Sequence, residues 1–155
     1  MDSKIFDVIN HHHQKYRNSC SPSLVEMLLK LENAVPGDYY DEQDRDKDQN
    51  VGLANIANKT IYGLTFRRFD AQVENKSLQQ RIDEELAKGQ FLGVYLPVGG
   101  GVHSFVIAGK VNQEYLLLSK YSELGNGEGS QTIEGYIPAH AIPQLERFDV
   151  IYYAK

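Results

Sequence analysis

"QKYRNSCSPSLVEMLLKL", Gln14 to Leu31, holds the only cysteine among 155 residues. From Ser21 onward, Leu24, Val25, Leu28, Leu29 and Leu31 recur at helical spacing, with Glu26, Lys30 and Glu32 on the other side. Pro22 suits a first helical turn, and Ser23 with Glu26 forms a capping-box pattern. "AVPGD" ends the helix. The spacing therefore predicts a helix over about 21–32, with Cys20 at its amino-terminal end. A thiol is a nucleophile only as thiolate, and the unpaired N–H groups and macrodipole at a helix start favour that charge. A small buried cysteine is the commoner role for a lone thiol. Here "RNSCSPS" is polar on both sides, which favours an accessible one.

Working outward, the acidic segment "DYYDEQDRDKD" (38–48) is too polar to bury and reads as a loop to about Asn50. "VGLANIANKT" is a short helical candidate and "YGLTFRRF" a strand. "SLQQRIDEELAKGQ" places Leu78, Ile82 and Leu86 at four-residue steps, with Gly89 as the stop. Then come the strand-like runs "FLGVYLPV", "HSFVIAGKV", "YLLLSKY" and "FDVIYYA". Neither a repeat nor a linker interrupts the chain, so one domain over 1–155 is expected. Its class is α+β, with N-terminal helices packed on a C-terminal antiparallel β-sheet.

Composition narrows the function. With 41% hydrophobic residues the chain can build a core, and with one cysteine it can form neither an internal disulfide nor a Cys-cluster zinc site. The formal charge is −5, and the acidic segment holds six acids against two bases, so the remainder is close to neutral. That argues against nucleic acid and anionic membranes as main partners. The start lacks a secretory signal pattern and no apolar run approaches ~20 residues. The expected location is cytoplasmic, or exported as an effector without a classical signal peptide.

A cysteine nucleophile needs a base and donors for the oxyanion. His103 is the best base, because it opens the strand "HSFVIAG" just after the glycine run in "VGGGV". Gln14 offers a side-chain N–H to the oxyanion, beside the backbone N–H of Cys20. Gln, five residues, Cys at a helix start, then a distant His opening a strand: this resembles the papain-like cysteine peptidase superfamily. "QKYRNSCSPSLVEMLLKL" and "LAKGQFLGVYLPVGGGVHSFVIAGKVNQEYLLLS" look most like the bacterial family that cleaves double-glycine leader peptides, and its free-standing relatives. The resemblance covers Gln14 to about Leu118. It implies a papain-like fold, no cofactor and a peptide or protein substrate, with Gln14 as oxyanion residue, Cys20 as nucleophile and His103 as general base.

One departure lies at the third position. That family usually has Asp or Asn on the strand after the His strand, where this chain has "LLLSKYSE". If "GKVNQEY" is a hairpin turn, His103 faces a residue between Ser119 and Glu123. Three alternatives stand: Ser119 orients the imidazole, Glu123 does, or no side chain does. The expected function is a thiol hydrolase that cleaves amide bonds, a cysteine peptidase first. The alternatives are a protein-glutamine deamidase or transglutaminase-like effector, and a catalytically weakened binding module of the same fold.

Other signals are weaker. His11, His12 and His13 point in different directions in any regular element and read as a solvated tract, not a metal site. His140 lies in the turn-rich "IPAHAIP" and reads as a surface or packing residue. "DRDKDQNVGLAN" resembles the opening of an EF-hand loop but has Gln49 at the glycine position and Asn55 at the bidentate position. "GNGEG" (125–129) opens no apolar helix and is no phosphate cradle.

Overall fold

The computed structural model describes residues 3–47, 49, 51–98, 101–121, 131–144 and 149–155. In chain order the elements are α1 (Ser3–His11), α2 (Cys20–Leu31), α3 (Asp41–Arg45), α4 (Leu53–Ile56), β1 (Thr60–Ile61), β2 (Leu64–Arg68), α5 (Ala71–Glu74) and α6 (Leu78–Ala87). Then follow β3 (Leu92–Val98), β4 (Gly101–Val111), β5 (Glu114–Tyr121), β6 (Gln131–Pro138), a 3-10 turn (Ala139–Gln144) and β7 (Asp149–Ala154). The strands form one antiparallel sheet in the order β1-β2-β7-β3-β4-β5-β6. The class is α+β, as the sequence predicts.

The layering differs from helices first and sheet second. One apolar cluster joins α1 and α2 to Val106, Ala108, Leu116, Leu118, Ile151 and Tyr153. A second joins Ile82 of α6 to Val94, Phe105, Ile107, Tyr115 and Leu117 on the other face. The strands are apolar on both sides, so both faces need covering. α6, between β2 and β3 in sequence, covers the second face. The sequence reading also missed α1, α5, β1 and β6. Among the described residues, no helix is long and apolar enough to cross a membrane.

Helix α2 is the centre of the molecule. It starts at Cys20, one residue earlier than the spacing implies, and every residue from Ser21 to Leu31 is buried. Glu26 and Lys30 therefore do not face solvent, because α1 and α3 cover the side turned away from the sheet. Ser23 lies inside the first turn and forms no capping box. Its hydroxyl meets His12 instead, and the Glu26 carboxylate binds Gln43. The helix packs against β3 at Gly93, where an added Cβ would lie 2.6 Å from Leu24 Cδ2 and 2.8 Å from Ile151 Cγ2. Glycine there lets α2 approach the strand closely.

The acidic loop contains a helix after all. α3 forms over Asp41–Arg45, with Glu42 and Gln43 buried. α6 follows its sequence signals: Ser77 caps it in a box with Gln80, and Gly89 leaves it at φ 78°.

β4 and β5 form a hairpin whose two turn residues, Asn112 and Gln113, both have positive φ (52° and 66°). That is the twist-matched geometry of a two-residue turn. The register then shifts between Ile107 and Gly109, which makes Ala108 a bulge residue. Below the bulge Lys110 pairs with Tyr115, and above it Val106 pairs with Leu118.

Candidate active site

The segment between α1 and α2 is held by buried polar groups. Gln43 is its hub: Nε2 donates to His13 O (2.8 Å) and to Glu26 Oε1 (2.5 Å), while Oε1 accepts from Lys15 N and Ser19 Oγ (both 2.7 Å). One amide side chain thus ties α3 to the loop, to the N-cap of α2 and to the helix interior. His12 is buried, contrary to the expected solvated tract, whereas His11 and His13 are exposed. Lys30 Nζ donates to His12 Nδ1 (2.9 Å), so Nε2 carries the proton and donates to Ser23 Oγ (2.9 Å). Burial, helped by Lys30 and Lys120, holds His12 well below the usual imidazole range. Burial also pushes Glu26 up to about 7, against its Gln43 bonds, and brings Lys30 down to about 8.

Cys20 stands at the first position of α2, partly buried. Burial pushes its thiol up, but the neighbouring His103 imidazole and its charge, with the Ser104 and Tyr95 hydroxyls nearby, outweigh that and bring it down to about 7. The Tyr95 hydroxyl lies 3.9 Å from Sγ. It donates to Val51 O (3.1 Å) and also bonds Ser21 Oγ. Tyr95 therefore pins the start of α2 to β3 and to the loop before α4. A recess of about 400 Å³ opens alongside, lined by Pro22, Val25, Val51, Ile56 and Ile61 among others.

His103 is the third residue of β4, with its ring edge-on to Phe105 at 5.2 Å. Its Nε2 lies 2.8 Å from Ser119 Oγ and 3.2 Å from the Lys120 carbonyl. A carbonyl only accepts, so Nε2 carries the proton and Nδ1 carries the lone pair. Ser119 is buried, and its own hydroxyl proton goes to Ser104 O at 2.5 Å. Its oxygen is thereby left to accept from His103. Among the described residues, Ser119 and the Lys120 backbone carbonyl meet the ring. Glu123 lies outside the described residues.

Gln14 is also buried, and its Nε2 donates to Tyr16 O (3.0 Å) and Arg17 O (3.2 Å). Its N–H groups stitch the loop that enters Cys20. His140 is exposed. Among the described residues, no group of three or more His, Cys, Asp or Glu side chains is placed to hold a metal ion.

Four residues of this neighbourhood escaped the sequence reading. Tyr95 is the one polar-tipped aromatic in "FLGVYLPV", and Ser104 directly follows His103. Gln43 is the only amide in the acidic run 38–48. Lys120, beside Ser119, is buried, with Nζ donating to Asn10 O (3.2 Å) and Thr132 Oγ1 (3.0 Å). Compared with known proteins, the chain matches no family model, no curated protein and no solved structure.

Proposed function

We propose that this protein is a papain-like thiol hydrolase that cleaves amide bonds in a peptide or protein, acting as a cysteine peptidase. The observation that carries the reading is the His103 imidazole, held at Nε2 by Ser119 and the Lys120 carbonyl and lowering the Cys20 thiol. Its polarity suits proton transfer. With Nε2–H fixed by two acceptors, Nδ1 takes the Sγ proton, and a thiol already near 7 gives it up at neutral pH.

The thiolate then attacks the carbonyl carbon and the C=O electron pair moves to oxygen. The backbone N–H of Cys20 and the Gln14 amide bind that charge, Gln14 exchanging the longer of its two bonds, to Arg17 O, for the oxyanion. As the tetrahedral species collapses, the C–N bond breaks and the amine leaves with the proton held by His103. Water attacks the resulting thioester while His103 accepts its proton. The C–S bond breaks, the carboxylic acid departs, and the thiol is restored. Ser119 supplies no negative charge to the imidazolium, so turnover is expected to be slower than with a carboxylate orienter.

The test is mass spectrometry of peptide libraries and proteins after incubation with the parent chain and with Cys20→Ala. Backbone cleavage by the parent alone supports the peptidase. A gain of about one mass unit at glutamine with no cleavage replaces it with a deamidase. A parent indistinguishable from Cys20→Ala on every substrate, with a thiol of ordinary reactivity, refutes thiol catalysis.

A further inference from the structure

Strand alternation gives the thiol two different neighbours from β4. Ser104, with Val106 and Ala108, belongs to the face that α2 covers, and Tyr95 is its paired residue on β3. His103 belongs with Phe105 to the other face. Ser104 is therefore the β4 residue beneath the start of α2. It is 0% exposed, and its hydroxyl forms no hydrogen bond of good geometry among the described residues. A buried hydroxyl left in that state costs about 1–3 kcal/mol, so it needs a reason.

We propose that Ser104 is a catalytic residue whose hydroxyl donates to the Cys20 sulfur and holds it as thiolate. The assignment rests on Cys20 being the nucleophile. Among the described residues, the thiol and the Tyr95 hydroxyl are polar groups close to Ser104 Oγ. Tyr95 already has Ser21 Oγ and the Val51 carbonyl as partners. Of the two, the sulfur is the group that ionises, and as thiolate it is the stronger acceptor for the Ser104 proton. A neutral thiol accepts weakly and a thiolate strongly, because the bond becomes charge-assisted. The bond therefore forms fully only when Sγ ionises. It loosens in the thioester, where sulfur is neutral, and returns when the C–S bond breaks and thiolate leaves. One donor thus favours both the attacking group and the leaving group, and the site uses a hydroxyl beneath the sulfur in addition to an imidazole beside it.

The experiment is iodoacetamide alkylation of Cys20 across pH 5–10 in the full chain, followed by mass spectrometry. The parent is expected to reach half its limiting rate near pH 7. Ser104→Ala should react about fivefold to tenfold more slowly at pH 6 and converge with the parent above pH 9. Ser104→Thr and Ser104→Val have the same shape and differ in the hydroxyl, so Thr should stay close to the parent and Val should follow Ala. This pair decides the matter even if Ala disturbs the strand. Superimposed profiles for Thr and Val, or for Ala and the parent, overturn the role of Ser104 while leaving the nucleophile in place. A parent profile centred near ~8.5 instead overturns the nucleophile itself.

Discussion

Replacing Ser119 with alanine removes one of two acceptors on His103 Nε2 and the donor to Ser104 O, with no charge change. A neutral hydrogen bond contributes about 0.5–1.5 kcal/mol, which corresponds to about twofold to tenfold in rate. The loss stays in that range because the Lys120 carbonyl, 3.2 Å from Nε2, keeps the proton on the same nitrogen. Where an orienter change reverses the tautomer, the cost is about 10⁴-fold. Ser119→Asn offers a side-chain oxygen to Nε2–H and an amide N–H to Ser104 O, so it should retain kcat/KM within about threefold while losing some stability to crowding. Ser119→Asp brings the missing charge but turns an acceptor toward Ser104 O, where the hydroxyl now donates at 2.5 Å. It should fall below Asn near pH 7. The assay is kcat/KM on a fluorogenic peptide that the parent cleaves, with Cys20 alkylation alongside. A loss beyond about a hundredfold in Ser119→Ala would show that the carbonyl holds nothing, and no loss at all would show that the hydroxyl is idle. An Asp variant faster than the parent would refute the donor role toward Ser104.

Gln14→Ala should lower kcat by about a hundredfold if its amide serves the oxyanion, and should also lower the melting temperature, since two loop bonds go with it. Unchanged alkylation of Cys20 with reduced kcat marks the oxyanion role, whereas an equal fall in both marks a loop support only. Gly93→Ala should destabilise by about 1–3 kcal/mol in urea unfolding through its clash with Leu24 and Ile151, and a neutral result would mean that α2 can shift away from β3. Folded Glu26 titrates at about 7, against about 4.3 in an unfolded chain, so its contribution is full below about pH 4 and is lost as pH rises through 7, on the order of 3 kcal/mol. Lys30, brought down to about 8, works oppositely: its contribution is lost as pH falls through 8. Glu26→Gln cancels the first dependence and leaves the second, so its unfolding free energy should gain on the parent steadily from pH 5 to pH 8, and a constant difference over that range would contradict the assigned titration.

What the sequence revealed and what it hid divide along local and non-local lines. The run of α2, the helix α6 with its Gly89 stop and the principal strands are set by neighbours in sequence, and periodicity finds them. Burial of Glu26, Lys30 and His12 depends on α1 and α3 closing over α2, and no window of residues contains that fact. The same holds for Gln43, whose partners lie 17 to 30 residues away. In the site, the residue types Cys20, His103 and Ser119 were legible, because thiol, imidazole and the hairpin spacing are local marks. Ser104 and Tyr95 were not, since each looks like an ordinary strand residue until the pairing of β3 with β4 brings them beside the thiol.

Ala108 makes the hairpin count matter more than its chemistry. With the bulge, Ser119 comes out on the same side of the sheet as His103. Had Ala108 entered the ladder opposite Leu117 instead of bulging, the pairing of Lys110 with Tyr115 would run on without an offset, and every side chain of β5 nearer His103 would change sides relative to β4. Lys120 would then be offered to the imidazole and Ser119 would turn toward α2. An ammonium beside the ring opposes the positive charge that the base must acquire. A one-residue slip at Ala108, altering none of the reacting groups, would thus invert the sign of the partner offered to His103. The bulge at Ala108 therefore sets the electrostatic sign of the side chain that β5 turns toward His103.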